Sequence, residues 1–114
     1  MTTQSYTNRT FQLWEYRVSH GSLLIRSPQG PDAKTNVDVI CVGVEYVAAP
    51  RFLRSLEITE PTRKELRLLE QLLGKELVAS SVIILASSGQ RFPIVAGHFK
   101  VEENELAIFE SPFE

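Results

Sequence analysis

What this sequence holds least of is the raw material of catalytic and metal sites. It has one cysteine, Cys41, and two histidines, His20 and His98, which lie far apart in the chain. There is no CxxC and no HxxxH, so nothing in the spacing assembles the three or four ligands a metal site needs. A lone cysteine cannot close an internal disulfide, which fits a reducing compartment. The segment "ASSGQR" lacks the GxxxxGK[ST] pattern of a phosphate-binding loop and reads as a hairpin turn. No cofactor is expected.

Charge of either sign is also scarce in excess. Twelve Lys and Arg stand against 14 Asp and Glu, a formal net charge of −2, which gives no global field to attract nucleic acid or an anionic membrane. No apolar run approaches the ~18 residues of a membrane-spanning helix. The start, "MTTQSYTNRT", has no basic region followed by an apolar core and does not read as a secretory signal. The expectation is a soluble cytoplasmic protein.

What is present is an α+β pattern, with residues 1–9 a disordered tail and residues 10–114 one α+β domain. In "FQLWEYRVSHGSLLIRS" the pair His20-Gly21 suits a two-residue turn. That register sets Ser19 against Ser22, Tyr16 against Ile25 and Glu15 against Arg26. "SPQGPDAKTN" is a loop. The run "NVDVICVGVEYVAAP", with Asp38 three positions before Cys41, reads as a central strand apolar on both sides and ended by Pro50. "RFLRSLEI" then reads as a connection.

A helix follows over "EPTRKELRLLEQLLG". Pro61 suits its first turn, Thr62 and Glu65 have capping-box spacing, and Gly74 suits its C-terminal end. Leu66, Leu69 and Leu73, with Leu68 and Leu72 beside them, make one broad apolar face. Three further strands are expected in "SSVIILAS", "RFPIVAGHFKV" and "ELAIFES", with Pro93 marking an edge or bulge. The expected order is β-β-β-α-β-β-β, a mostly antiparallel sheet of about six strands with one amphipathic helix packed on it.

Among candidate site residues, Cys41 comes first. A nucleophilic cysteine needs a neighbouring cation or helix N-terminus and access to substrate. Cys41 sits mid-strand among valines, and cysteine is among the most buried residue types, so it reads as core. Glu45, in the same run, either leaves the core with the strand or pairs with an arginine. Arg51 and Arg54 flank Phe52 and Leu53 just beyond Pro50, and arginine beside exposed apolar groups is favoured at binding sites. Arg51, Arg54, Arg63, Lys64 and Arg67 concentrate mid-chain, while Glu102, Glu103, Glu105, Glu110 and Glu114 crowd the end.

With no catalytic set and with segregated charge, the expectation is a non-enzymatic protein that acts by binding another protein, as an inhibitor, immunity protein or adaptor does. A second copy of the chain, giving a homodimer, is one form of such a partner. The binding residues expected are Arg51, Phe52, Arg54, Glu45 and Trp14. The alternative is a small-molecule-binding domain or minor enzyme, with a pocket between helix and sheet lined by Trp14, Tyr16, Tyr46, Arg51 and Arg54.

Overall fold

A computed structural model describes residues 4–113. Five strands, β1 (Gln4–Arg17), β2 (Ser22–Ser27), β3 (Asn36–Val42), β4 (Tyr46–Val47) and β5 (Phe52–Thr59), precede the helix α1 (Arg63–Leu73). Three follow it: β6 (Val82–Ser87), β7 (Gln90–Val95) and β8 (His98–Asn104). The chain is α+β with one helix and an antiparallel sheet, but the sheet has eight strands rather than about six, in the order β4-β7-β6-β5-β1-β2-β3-β8.

The differences from the sequence reading are local and have physical causes. "RFLRSLEI", expected as a connection, is β5, which pairs with both β1 and β6. Residues 105–111, expected as the last strand, pair with no strand. The two long expected strands each break at glycine. Residues 36–47 bend at Gly43, at φ +72°, into β3 and β4, and residues 90–104 bend at Ala96 and Gly97 into β7 and β8. The expected tail is also shorter, because β1 begins at Gln4; Met1–Thr3 and Glu114 lie outside the described residues.

Those two bends meet. The Gly97 N–H donates to the carbonyls of Val42 (3.0 Å) and Gly43 (3.3 Å), and a Cβ at Gly43 would sit 3.5 Å from the Gly97 nitrogen. On one side of this corner β3 pairs with β8; on the other, β4 pairs with β7. The two ends of the sheet are therefore successive stretches of one bent two-chain ladder, and the sheet folds over on itself. Phe11, Leu23, Ile25, Val39, Leu53, Ile83, Leu85 and Ile94 fill the space enclosed, drawn from six strands and almost wholly out of water. Cys41 belongs to the same interior at 0% exposure, where burial pushes its thiol up to about 12. It is a core side chain.

The first hairpin forms, but its turn is longer than expected. Val18–His20 make a single 3-10 turn and Gly21 alone takes positive φ, at +58°. Arg17 therefore pairs with Ser22 and Tyr16 with Leu23, a shift of two residues that keeps the expected sides; an irregularity at Trp14 then brings Leu13 opposite Ile25. No helix among the described residues is long and apolar enough to cross a membrane.

Helix α1 follows its local signals. The Thr62 hydroxyl accepts from the Glu65 N–H, the Glu65 carboxylate accepts from the Thr62 N–H, and Gly74 ends the helix at φ +70°. Leu66, Leu69 and Leu73 pack on Val82, Ile84 and Val95 of the outer sheet face, whereas Leu68 and Leu72 stay more than half exposed. The apolar face that packs is narrower than expected.

Arg91 donates to both oxygens of Glu65, at 2.8 and 2.9 Å. These bonds outweigh burial and, with the capping bonds of Thr62, hold the Glu65 carboxyl at about 2 against an ordinary 4.5. A depressed folded value stabilises the fold fully above the unfolded value and loses that contribution as pH falls through the folded one. The stability gap between the native chain and Glu65→Gln should therefore narrow as pH falls from 4.5 to about 2. Thermal melts across that window check this; a gap that stays constant contradicts it.

Candidate functional site

Where the sheet folds over, one side is left open. β4 contributes only two residues, and pairing between β1 and β5 stops at Gln12 and Phe52, with one further bond from the Leu13 N–H to the Arg51 carbonyl at 2.9 Å. Between the last residues of β1 and the stretch 44–47 lies a cleft of about 600 Å³. Leu13, Leu23, Val44 and Val47 form its apolar walls, and Trp14, Tyr16 and Tyr46 bring three aromatic rings. Its charged lining residues are Glu15 and Glu45.

Each glutamate is held at the surface by a neighbouring cation. Arg17 Nε donates to Glu15 Oε2 at 2.7 Å, and Lys75 Nζ, just past the end of α1, donates to Glu45 Oε1 at 2.6 Å. Burial pushes the Glu15 carboxyl upward, but hydrogen bonds from Arg17 and Ser111 and the charges of Arg17 and Arg26 together set it below its ordinary value. Glu45 has indeed left the core and stands half exposed, with a lysine rather than an arginine as its partner.

The expected site residues separate into two places. Trp14 and Glu45 line the cleft, together with Tyr16 and Tyr46. Arg51 and Phe52 lie beside it. Phe52 pairs with Gln12, is 51% exposed, and carries the Arg51 guanidinium 5.0 Å above its ring. Arg54 is exposed further along β5, opposite Thr10, and lines no part of the cleft. The expected pocket between helix and sheet is a different hollow, of about 270 Å³, lined by Leu68, Leu72, Ile84 and Pro93 and sharing only Tyr46 with the cleft.

Behind the β1 wall lies a buried polar network that sequence reasoning missed. Arg26 and Asp38 are cross-strand partners on β2 and β3, both at 0% exposure. Arg26 Nε donates to Asp38 Oδ1 at 2.7 Å and Nη2 to Oδ2 at 2.9 Å, a forked pair. Its Nη1 donates to the carbonyls of Ile108 (3.2 Å) and Glu110 (3.0 Å). Asn104 Nδ2 donates to Asp38 Oδ2 at 2.8 Å, and Asn36 and Gln29 both donate to the Leu106 carbonyl. Residues 105–113 are thus strapped across the outer face of β2 and β3. Among the described residues no buried side-chain nitrogen or oxygen lacks a partner.

The strap reaches the cleft. The Arg26 guanidinium lies 5.7 Å from the Trp14 ring centre, Ser111 is near enough to help lower the Glu15 carboxyl, and Arg17 stacks over Phe113 at 5.6 Å. The signal available in sequence was one charge inside each of two apolar strands, Arg26 in "LLIRS" and Asp38 in "NVDVICV". Pairing them required the β2–β3 register, which the intervening loop does not announce.

Removing one partner of a buried pair leaves an uncompensated charge, whereas an exposed pair contributes little. Asp38→Asn should lower unfolding free energy by roughly 3–5 kcal/mol, and Lys75→Ala by less than about 1 kcal/mol. Denaturant unfolding of the two variants checks this; equal losses contradict it. No protein-family model, curated protein or solved structure matches this chain.

Proposed function

We propose that the protein is a non-enzymatic binding protein that engages another protein through the cleft and its rim. The observation that carries this reading is where apolar surface stays exposed. Tyr16, Val18, Val47 and Phe52 are each more than a third exposed; two of them line the cleft, and the others adjoin its β1 wall in chain or pairing. Leu68, Leu72 and Val78 around α1 and Ile108 and Phe109 on the last segment are exposed too. The Tyr16 group, however, adjoins a hollow of about 600 Å³, against about 270 Å³ beside Leu68 and Leu72, and apolar exposure around a cleft of that size marks interaction surface. Arg51 above Phe52 adds a guanidinium that can stack and fork its hydrogen bonds. The glutamates of the lining and a net charge of −2 disfavour phosphate, so the partner is a protein rather than nucleic acid. A reducing compartment such as the cytoplasm suits the unpaired Cys41.

A second reading, a small-molecule binder, draws support from the cleft volume of about 600 Å³, which is within the range of ligand pockets. Its polar groups weigh against it. The charged lining residues of the cleft are two surface glutamates, and among the described residues no buried polar side chain lines the cleft to fix a ligand's orientation.

Photo-cross-linking residues placed at Tyr16, Phe52 and, as a control, Leu68 on α1 test the reading in cells of the native host. The same protein adduct is expected from Tyr16 and Phe52 and is expected to vanish with Trp14→Ala. Adducts confined to Leu68 would move the interface to the helix. With no adduct at any position, a ligand retained on the native chain in mass spectrometry would favour the small-molecule reading.

A further inference from the structure

The charges that line the cleft are all negative, and the cations that offset them stand outside the lining. Its charged lining residues are two glutamates, and three of the remaining residues are aromatic, with electron-rich faces that attract cations. Among the described residues no lysine, arginine or histidine lines it. The cations that neutralise Glu15 and Glu45 sit outside, on Arg17 and Lys75. Lys75 and Glu45 are both close to half exposed, and such a surface pair is weak enough to be exchanged. Arg17 bonds Glu15 through Oε2 and Lys75 bonds Glu45 through Oε1; a carboxylate accepts several hydrogen bonds, so each has capacity for a second donor.

We propose that the cleft takes the side chain of an arginine presented by the partner protein. The inference rests on the reading of this cleft as a binding surface. Arginine fits the lining better than lysine does. Its planar, weakly hydrated guanidinium stacks on rings while forking to a carboxylate, and its three methylenes find apolar cover. Tyr16 and Tyr46 offer the rings, Glu15 and Glu45 the acceptors, and Leu13 and Val44 the apolar wall.

Titration of the full chain at low salt with a capped Gly-Arg-Gly peptide, and with its citrulline counterpart, tests the proposal. Citrulline keeps the shape of arginine and loses the charge. Nuclear magnetic resonance signals from the Trp14 indole N–H and the backbone amides of Glu15 and Glu45 report occupancy. The arginine peptide should shift them saturably, with affinity on the order of tenfold above citrulline. Glu45→Gln, at an exposed site that leaves the fold intact, should narrow that ratio severalfold. Equal binding of the two peptides would overturn the arginine assignment while leaving the cleft a binding surface. Saturable shifts from neither peptide would also overturn it, and the cross-linking pattern then decides the binding surface independently.

Discussion

A guanidinium taken wholly out of water is tolerated only when its donors find acceptors, and Arg26 meets that condition by gathering three segments of chain. Two of its nitrogens fork to Asp38 on the neighbouring strand, and the third reaches the carbonyls of Ile108 and Glu110. Buried ion pairs of this kind seldom add net stability over a well-packed apolar pair. What this one does is fix position. It ties the register of β2 and β3 to the path of residues 105–113, which have no strand to pair with. Through Trp14 over Arg26, and through Ser111 on Glu15, the same group stands behind one wall of the cleft.

The cleft exists because of how the sheet closes. The sheet curls where Gly43 and Gly97 let two strands turn the same corner side by side. The corner joins β3–β8 to β4–β7 around a shared interior, but β4 is too short to carry its edge across to β1. The gap left there cannot be filled by backbone pairing. Leu13 and Val44 pack on the interior there, with Trp14, Tyr16 and Tyr46 beside them in the lining. Apolar cover over a core, flanked by aromatic rings and open to water on its outer side, is a surface that a second molecule can complete.

How much of this was legible in the sequence depended on the range of the signal. Helix α1 was legible because its caps are local: Thr62 and Glu65 act within one turn of each other, and Gly74 acts on the turn just before it. Cys41 was legible because its neighbours are uniformly apolar. Strand β5 was not, since Ser55, at φ +53°, breaks the alternation and puts Leu53, Leu56 and Ile58 inside at uneven spacing. Residues 105–111 misled for the opposite reason. They alternate as a strand does, but their carbonyls at Leu106, Ile108 and Glu110 go to the side chains of Asn36, Gln29 and Arg26 rather than to a neighbouring ladder. Of the site, Trp14 and Glu45 were picked out singly, and Tyr16 and Tyr46 as lining for the other reading. Their meeting depends on the corner at Gly43, whose bend no local pattern announces.

Arg26 and Asp38 hold the closing strap, and through it the cleft wall, in place. The double variant Arg26→Met plus Asp38→Leu isolates that role, because an apolar pair of similar volume should keep the sheet folded. Hydrogen exchange at the backbone amides of residues 105–113, read alongside the emission of Trp14, the single tryptophan, is the direct measurement. In that variant β2 and β3 should keep their protection while the strap amides exchange freely and the Trp14 emission shifts to the red. A strap that stays as protected as in the native chain, with unchanged emission, would contradict it.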